Sequence, residues 1–164
     1  MAIYQFTIEL LPRDWAIYHE YNPKSLYDLE QQYDVAEAWE GHHLSNVFDN
    51  IISSFLPKGK SWNSRLIIWG DYEHNDIQVW MRNKDQVESI TIRLDLRTEI
   101  KGLINNIILL AKKLNCVFFV PEIRKIIDPD IFLLHKLIAH STAVKYVTNP
   151  EDYFKKIELK KQGK

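Results

Sequence analysis

Cysteine is almost absent from this chain. Cys116 is the single one in 164 residues, which excludes a disulfide within the chain. It sits in the apolar run Cys116-Val117-Phe118-Phe119-Val120, the setting of a buried, inert thiol in a reducing compartment. An excess of charge of one sign is also missing. A formal net charge of -1 gives no general pull toward nucleic acid or an anionic membrane. No apolar run approaches the roughly 20 residues that a membrane helix requires. The N-terminal stretch M-A-I-Y-Q-F-T-I-E-L lacks the basic start, continuous apolar core and cleavage site of a signal peptide. The expected address is the cytoplasm. No internal repeat and no low-complexity segment is present.

What is present is the composition of a soluble globular chain, 46% apolar and 26% charged. The expectation is one domain over residues 1–164, with 159–164 a frayed basic tail. Aromatics make up 12%, including five Trp and eight Tyr, enough to fill a core or furnish a binding face.

The clearest pattern runs from Arg65 to Arg97. Ile90, Ile92, Leu94 and Leu96 alternate with Thr91, Arg93, Asp95 and Arg97, so one strand face is apolar and the other charged. Ile77, Val79 and Met81 alternate against Asp76, Gln78, Trp80 and Arg82 in the same way. Short links rich in Asp and Asn, 71–75 and 83–86, join the runs as hairpin loops. The stretch therefore predicts a three-stranded antiparallel meander.

Around it, residues 2–10 alternate as an opening strand that Leu11-Pro12 ends. Residues 44–55 carry an apolar helical stripe, and Thr98-Glu99 starts a strong helix with Thr98 as its cap. Cys116 to Val120 reads as a strand covered on both faces, with a short strand near Ile126-Ile127. Asp130 and Asn149 are the expected caps of two further helices, the second with Pro150 at its first position. Residues 22–43 carry no clear period. The fold class predicted is α+β: an antiparallel meander sheet with helices packed mainly on one face. The helix after the meander covers the apolar face, leaving the polar face open to solvent or free to bind.

Three groups of side chains invite a chemical reading. Asp71, His74 and Asp76 cluster in one hairpin with Glu73. These types suit a divalent metal, yet no calcium-loop or zinc spacing is present, and the same residues are usual in turns. No metal and no cofactor is expected. Arg93, Asp95 and Arg97 share a strand face near Trp80 and Arg82. They form either a cross-strand ion lattice or a site for an anionic ligand or an acidic partner. Asp28, Glu30, Asp34, Glu37 and Glu40, interleaved with Tyr33 and Trp39, form an acidic stretch that is either a solvated loop or a contact for a basic partner. His135, His140 and Ser141 make only a nominal hydrolase set. No G-x-S-x-G elbow accompanies them, and Gly59-Lys60-Ser61 lacks the rest of a phosphate loop.

The sequence Trp69-Gly70-Asp71, Asn75-Asp76-Ile77 and Ile92 to Arg97, followed by a long apolar helix, Asp128-Pro129-Asp130, Ser141 and Asn149-Pro150, resembles a group of small, uncharacterised bacterial proteins. They are of the kind met among the immunity proteins of polymorphic toxin systems. The resemblance covers residues 65–157. It implies a cytoplasmic binding protein that neutralises a toxin by occlusion, without chemistry. The expected function is thus a non-enzymatic protein-binding module, with Trp80, Arg82, Arg93, Arg97, Trp39 and Glu37 at the contact. The partner is another protein, with no nucleic acid and no membrane. The alternative is a small enzyme or ligand-binding domain around Asp71, His74, Asp76 and Arg93.

Overall fold

The computed structural model describes residues 2–44 and 46–163. Its centre is the opening strand β1 (Gln5–Pro12), which lies inside the sheet rather than at an edge. The meander strands β2 (Leu66–Gly70), β3 (Asp76–Asn83) and β4 (Gln86–Asp95) stand on one side of it. On the other are β5 (Cys116–Val120) and β6 (Lys125–Ile127). The order is β2-β3-β4-β1-β5-β6, and every pairing is antiparallel. With helices α1 (Arg13–Tyr18), α2 (Val47–Ser53), α3 (Lys101–Lys113), α4 (Ile131–Ala139), α5 (Thr142–Thr148) and α6 (Pro150–Gln162), the class is α+β.

Residues opposite each other across a ladder share a face, so the register sorts the side chains. Ile8 faces Ile92, which faces Ile77; Leu10 faces Phe118, and Val79 faces Ile90. These, with Trp69 opposite Ile77, form the apolar face. Phe48 of α2 meets Trp69 edge-on at 6.2 Å, and α3 packs on α2 and β5 through Ile104, Ile107, Leu110 and Ala111. Nearly all the buried apolar side chains make one connected cluster, with Leu66, Ile68 and Ala143 outside it.

The opposite face carries Gln5, Thr7 and Glu9 from β1, Thr91, Arg93 and Asp95 from β4, and Asp76, Gln78 and Trp80 from β3. It is neither bare nor free. The segment from residue 22 to 40 folds over its β1–β5 side, where Tyr27 and Tyr33 set their rings edge-on against Phe119 at 6.2 and 5.4 Å. The 3-10 turn Ala36–Trp39 then lies on β4 and β1.

Local chemistry explains most boundaries. Asp130 accepts from the Leu133 N–H, Ser141 from Val144 and Asn149 from Asp152, capping α4, α5 and α6. Asn115 takes the left-handed conformation between α3 and β5. Gly70 is required. Its φ is +83°, and a Cβ there would stand 2.2 Å from the Asn75 carbonyl oxygen. Several sequence expectations need correction. Thr98 does not cap α3; its hydroxyl donates to the Asp95 carbonyl, and the helix begins at Lys101. The helix expected from residue 44 begins at Val47, and Leu11 and Pro12 still belong to β1. α6 runs on through the basic end of the chain to Gln162. Among the described residues, no helix is long and apolar enough to cross a membrane.

Candidate functional site

The contact residues expected from sequence fall into two clusters at opposite ends of the polar sheet face, with a third feature between them. At one end, Trp80 stands opposite Ser89. Register shifts on either side of Met81 then re-aim the strand, so that Arg82 reaches across to the 36–40 segment. Its Nη1 donates to Glu40 Oε1 at 3.3 Å and its Nη2 to the Ala36 carbonyl at 3.5 Å. Glu37 is exposed on the same 3-10 turn. Trp62, which the sequence reading passed over, completes this end. It is 75% exposed and meets Trp80 edge-on, ring centres 5.6 Å apart at 70°. The available signal was a tryptophan in a polar link between helix and strand, where no core position demands one.

Trp39 is not at this surface. It is 1% exposed, and its indole N–H donates to the Leu10 carbonyl at 3.2 Å, just past the last β1–β4 pair. The short turn that exposes Glu37 points Trp39 inward, where the apolar ring and its polar edge are both satisfied.

The other end gathers Arg93, Arg97, Asp76, Asp71 and His74. Arg93 also departs from expectation, being 7% exposed. Its Nε donates to Asp76 Oδ1 at 2.7 Å, its Nη2 donates to Asp76 Oδ2, and its guanidinium lies 4.3 Å over the Tyr72 ring. Arg97 forks onto Asp95 at 2.9 and 2.8 Å and lies 3.5 Å over the Tyr4 ring. The hydrogen bonds from Arg97 hold the Asp95 carboxyl below its ordinary range, against the opposing effect of burial. This is a lattice of paired and stacked charges, with each arginine engaged by its own carboxylate. Asp71 is spent on its loop, accepting from the Glu73 N–H at 2.8 Å, and His74 lies 3.4 Å from its other oxygen. Asp76 belongs to Arg93. No group of three or more His, Cys, Asp or Glu positioned to hold a metal ion occurs among the described residues.

Between the two ends lies Glu9, on the opposite side of β1 from Ile8 and Leu10. It is 4% exposed. Thr91 Oγ1 lies 3.0 and 2.9 Å from its two carboxylate oxygens, and the Tyr33 hydroxyl donates to Oε1 at 3.1 Å. All these donors are neutral. Burial raises the carboxyl to about 7, against the lowering effect of the Thr91 and Tyr33 bonds, with Asp34 adding a further rise. A buried carboxyl poised near neutrality is a feature of functional sites as well as of structural networks.

The remaining candidates are structural in their contacts. The Ser141 hydroxyl donates to the Ile138 carbonyl at 2.7 Å, and His140 Nδ1 lies 2.8 Å from the Lys136 carbonyl. Cys116 is fully buried, and burial pushes its thiol up to about 12. No protein-family model, curated protein or solved structure matches this chain.

Proposed function

We propose that this chain is a non-enzymatic protein-binding module whose contact surface is the Trp62–Trp80 end of the sheet, with Arg82, Glu37 and Glu40 at its rim. The observation that carries the reading is Trp62: a large indole three-quarters exposed, braced against Trp80 on the strand that also carries Arg82 and its exposed ion pair with Glu40. Leaving such a ring in water forgoes the largest burial gain a side chain offers, whereas docking it on a partner recovers that gain. Tryptophan and arginine are the residue types that most often dominate binding energy. The rim carries both signs, with the acidic residues Asp34, Glu37 and Glu40 exposed along one side. A basic partner surface meets that side. The resemblance noted in the sequence adds a role for such a surface, occlusion of a toxin. On that reading the partner is a basic toxin and the effect is steric.

The test is capture of partners from the source cell's lysate by the tagged wild type and by the Trp62→Ala and Trp80→Ala variants. A Phe132→Ala variant, altered at an exposed ring on α4 away from this surface, serves as control. The reading expects one stoichiometric protein held by wild type and control and lost by the tryptophan variants. Equal retention by all four proteins refutes the surface. If no protein is retained by any of them, the binding reading falls.

A further inference from the structure

A cavity of about 430 Å³ opens between the start of β1, the residues after β5 and the start of α5, with Tyr33, whose hydroxyl donates to Glu9, in its lining. Its floor is Gln5 and Thr7 on the polar sheet face, and Tyr33 forms one wall. Ile3, Pro121 and Ala143 supply apolar surface, and Glu122 and Thr142, bonded to each other, complete the lining. We propose that this cavity binds a small organic ammonium ion, with its charge on Glu122 and the Tyr33–Glu9 pair and its aliphatic stem against Ile3, Pro121 and Ala143.

The argument begins with charge. Among the described lining residues there is no Lys, Arg or His, and the one acidic side chain is that of Glu122. Its Oε1 takes both the Thr142 N–H and the Thr142 hydroxyl at 2.6 Å, leaving Oε2 with no partner among the described residues. Behind the Tyr33 wall stands Glu9, which receives the Tyr33 hydroxyl. That hydroxyl is thereby turned as a donor toward Glu9, and its lone pairs remain to accept from a ligand. A concave, half-apolar space lined by a glutamate and by a tyrosine whose hydroxyl already donates to Glu9 asks for a group that only donates. An ammonium is that group, and an anion would meet Glu122 and Glu9 with nothing to offset them. The walls admit an aliphatic stem, which distinguishes an organic ammonium from a bare metal cation, for which the described residues offer no set of three ligands. The cavity is separate from the Trp62–Trp80 surface, so the two proposals stand or fall independently.

The experiment is amide NMR titration of the full chain with n-butylammonium, a blocked lysine amide and, as control, butyrate. The proposal expects saturable shifts at Thr7, Thr142 and Ala143 with a dissociation constant on the order of 1 mM for butylammonium, and no saturable shift with butyrate. Tighter binding of the blocked lysine assigns the site to a lysine side chain, and tighter binding of butylammonium to a free amine. Glu122→Gln keeps an oxygen for Thr142 and loses the charge, so affinity falls about tenfold or more. Tyr33→Phe removes the second acceptor and weakens binding about threefold or more. Absence of saturation with both ammonium probes overturns the proposal. So does an equal response to butyrate, or undiminished affinity in whichever of the two variants retains a dispersed spectrum.

Discussion

Replacing Glu9 by Gln tests the account of the sheet's polar centre. The side chain keeps its shape and one carbonyl oxygen, so Tyr33 and Thr91 retain an acceptor, while the charge is removed. The folded carboxyl titrates near 7 against an ordinary value of 4.5, chiefly because it is buried. A group raised on folding binds its proton more tightly in the folded state. Its contribution is therefore fully present below 4.5 and is lost as pH rises through about 7. At 1.36 kcal/mol per pH unit, the interval from 4.5 to about 7 is worth up to about 3 kcal/mol. Wild type is thus expected to lose up to that amount between pH 4.5 and 8 on account of this residue. Glu9→Gln should match wild type at pH 4.5 and exceed it at pH 8 by about 2–3 kcal/mol, or about 4–12 °C in melting temperature. Urea unfolding at the two pH values, with unchanged denaturant slopes, reads the difference. If Glu9→Gln is less stable than wild type at pH 8, the carboxylate is held by a positive charge and the reasoning fails.

Other perturbations separate burial from display. Asp76→Ala leaves the buried Arg93 guanidinium unpaired and should cost about 3–5 kcal/mol in chemical denaturation, and Arg97→Ala, although Arg97 is itself exposed, strips the fully buried Asp95 carboxylate of its fork and should also lower the midpoint. Gly70→Ala forces a Cβ against the Asn75 carbonyl at positive φ and should cost about 1–3 kcal/mol or more, read from the melting temperature. Trp39→Phe loses the bond to the Leu10 carbonyl and should cost about 1–3 kcal/mol, while Trp62→Ala should leave the melting temperature almost unchanged. The Cys116 thiol should resist a thiol reagent at pH 8 in the folded protein and react at once in denaturant.

The meander was legible because period-two alternation between Ile77 and Asp95 separates apolar from charged side chains, and its hairpin links are dense in Asp and Asn. The caps at Asp130 and Asn149 were legible for an equally local reason, a side-chain oxygen three residues before a free N–H. Strand order was not legible. Nothing in residues 5–12 states that β4 and β5 close on both sides of them, so the burial of Glu9 could not be read from its place in the alternation. The cover over it, residues 22–40, is built from 3-10 turns and single aromatic contacts, which have no 3.6-residue period to read. That gap also misplaced Trp39, whose burial depends on where that turn lands. Arg93 was correctly placed on the polar face, and its ion pair with Asp76 was one of the readings weighed, but sequence alone does not tell a buried pair from an exposed one. Trp62 was missed because it lies outside every periodic segment, and being outside them is also what leaves it free to be displayed.

The most direct test of the central claim is hydroxyl-radical footprinting of the chain alone and in complex with the partner recovered by capture. The account expects Trp62 and Trp80 to be oxidised in the free protein and protected in the complex, while exposed Phe132 and Phe154 react equally in both states. Unchanged oxidation of Trp62 in the complex, with protection appearing on α4 or α6 instead, would place the interface elsewhere and contradict it.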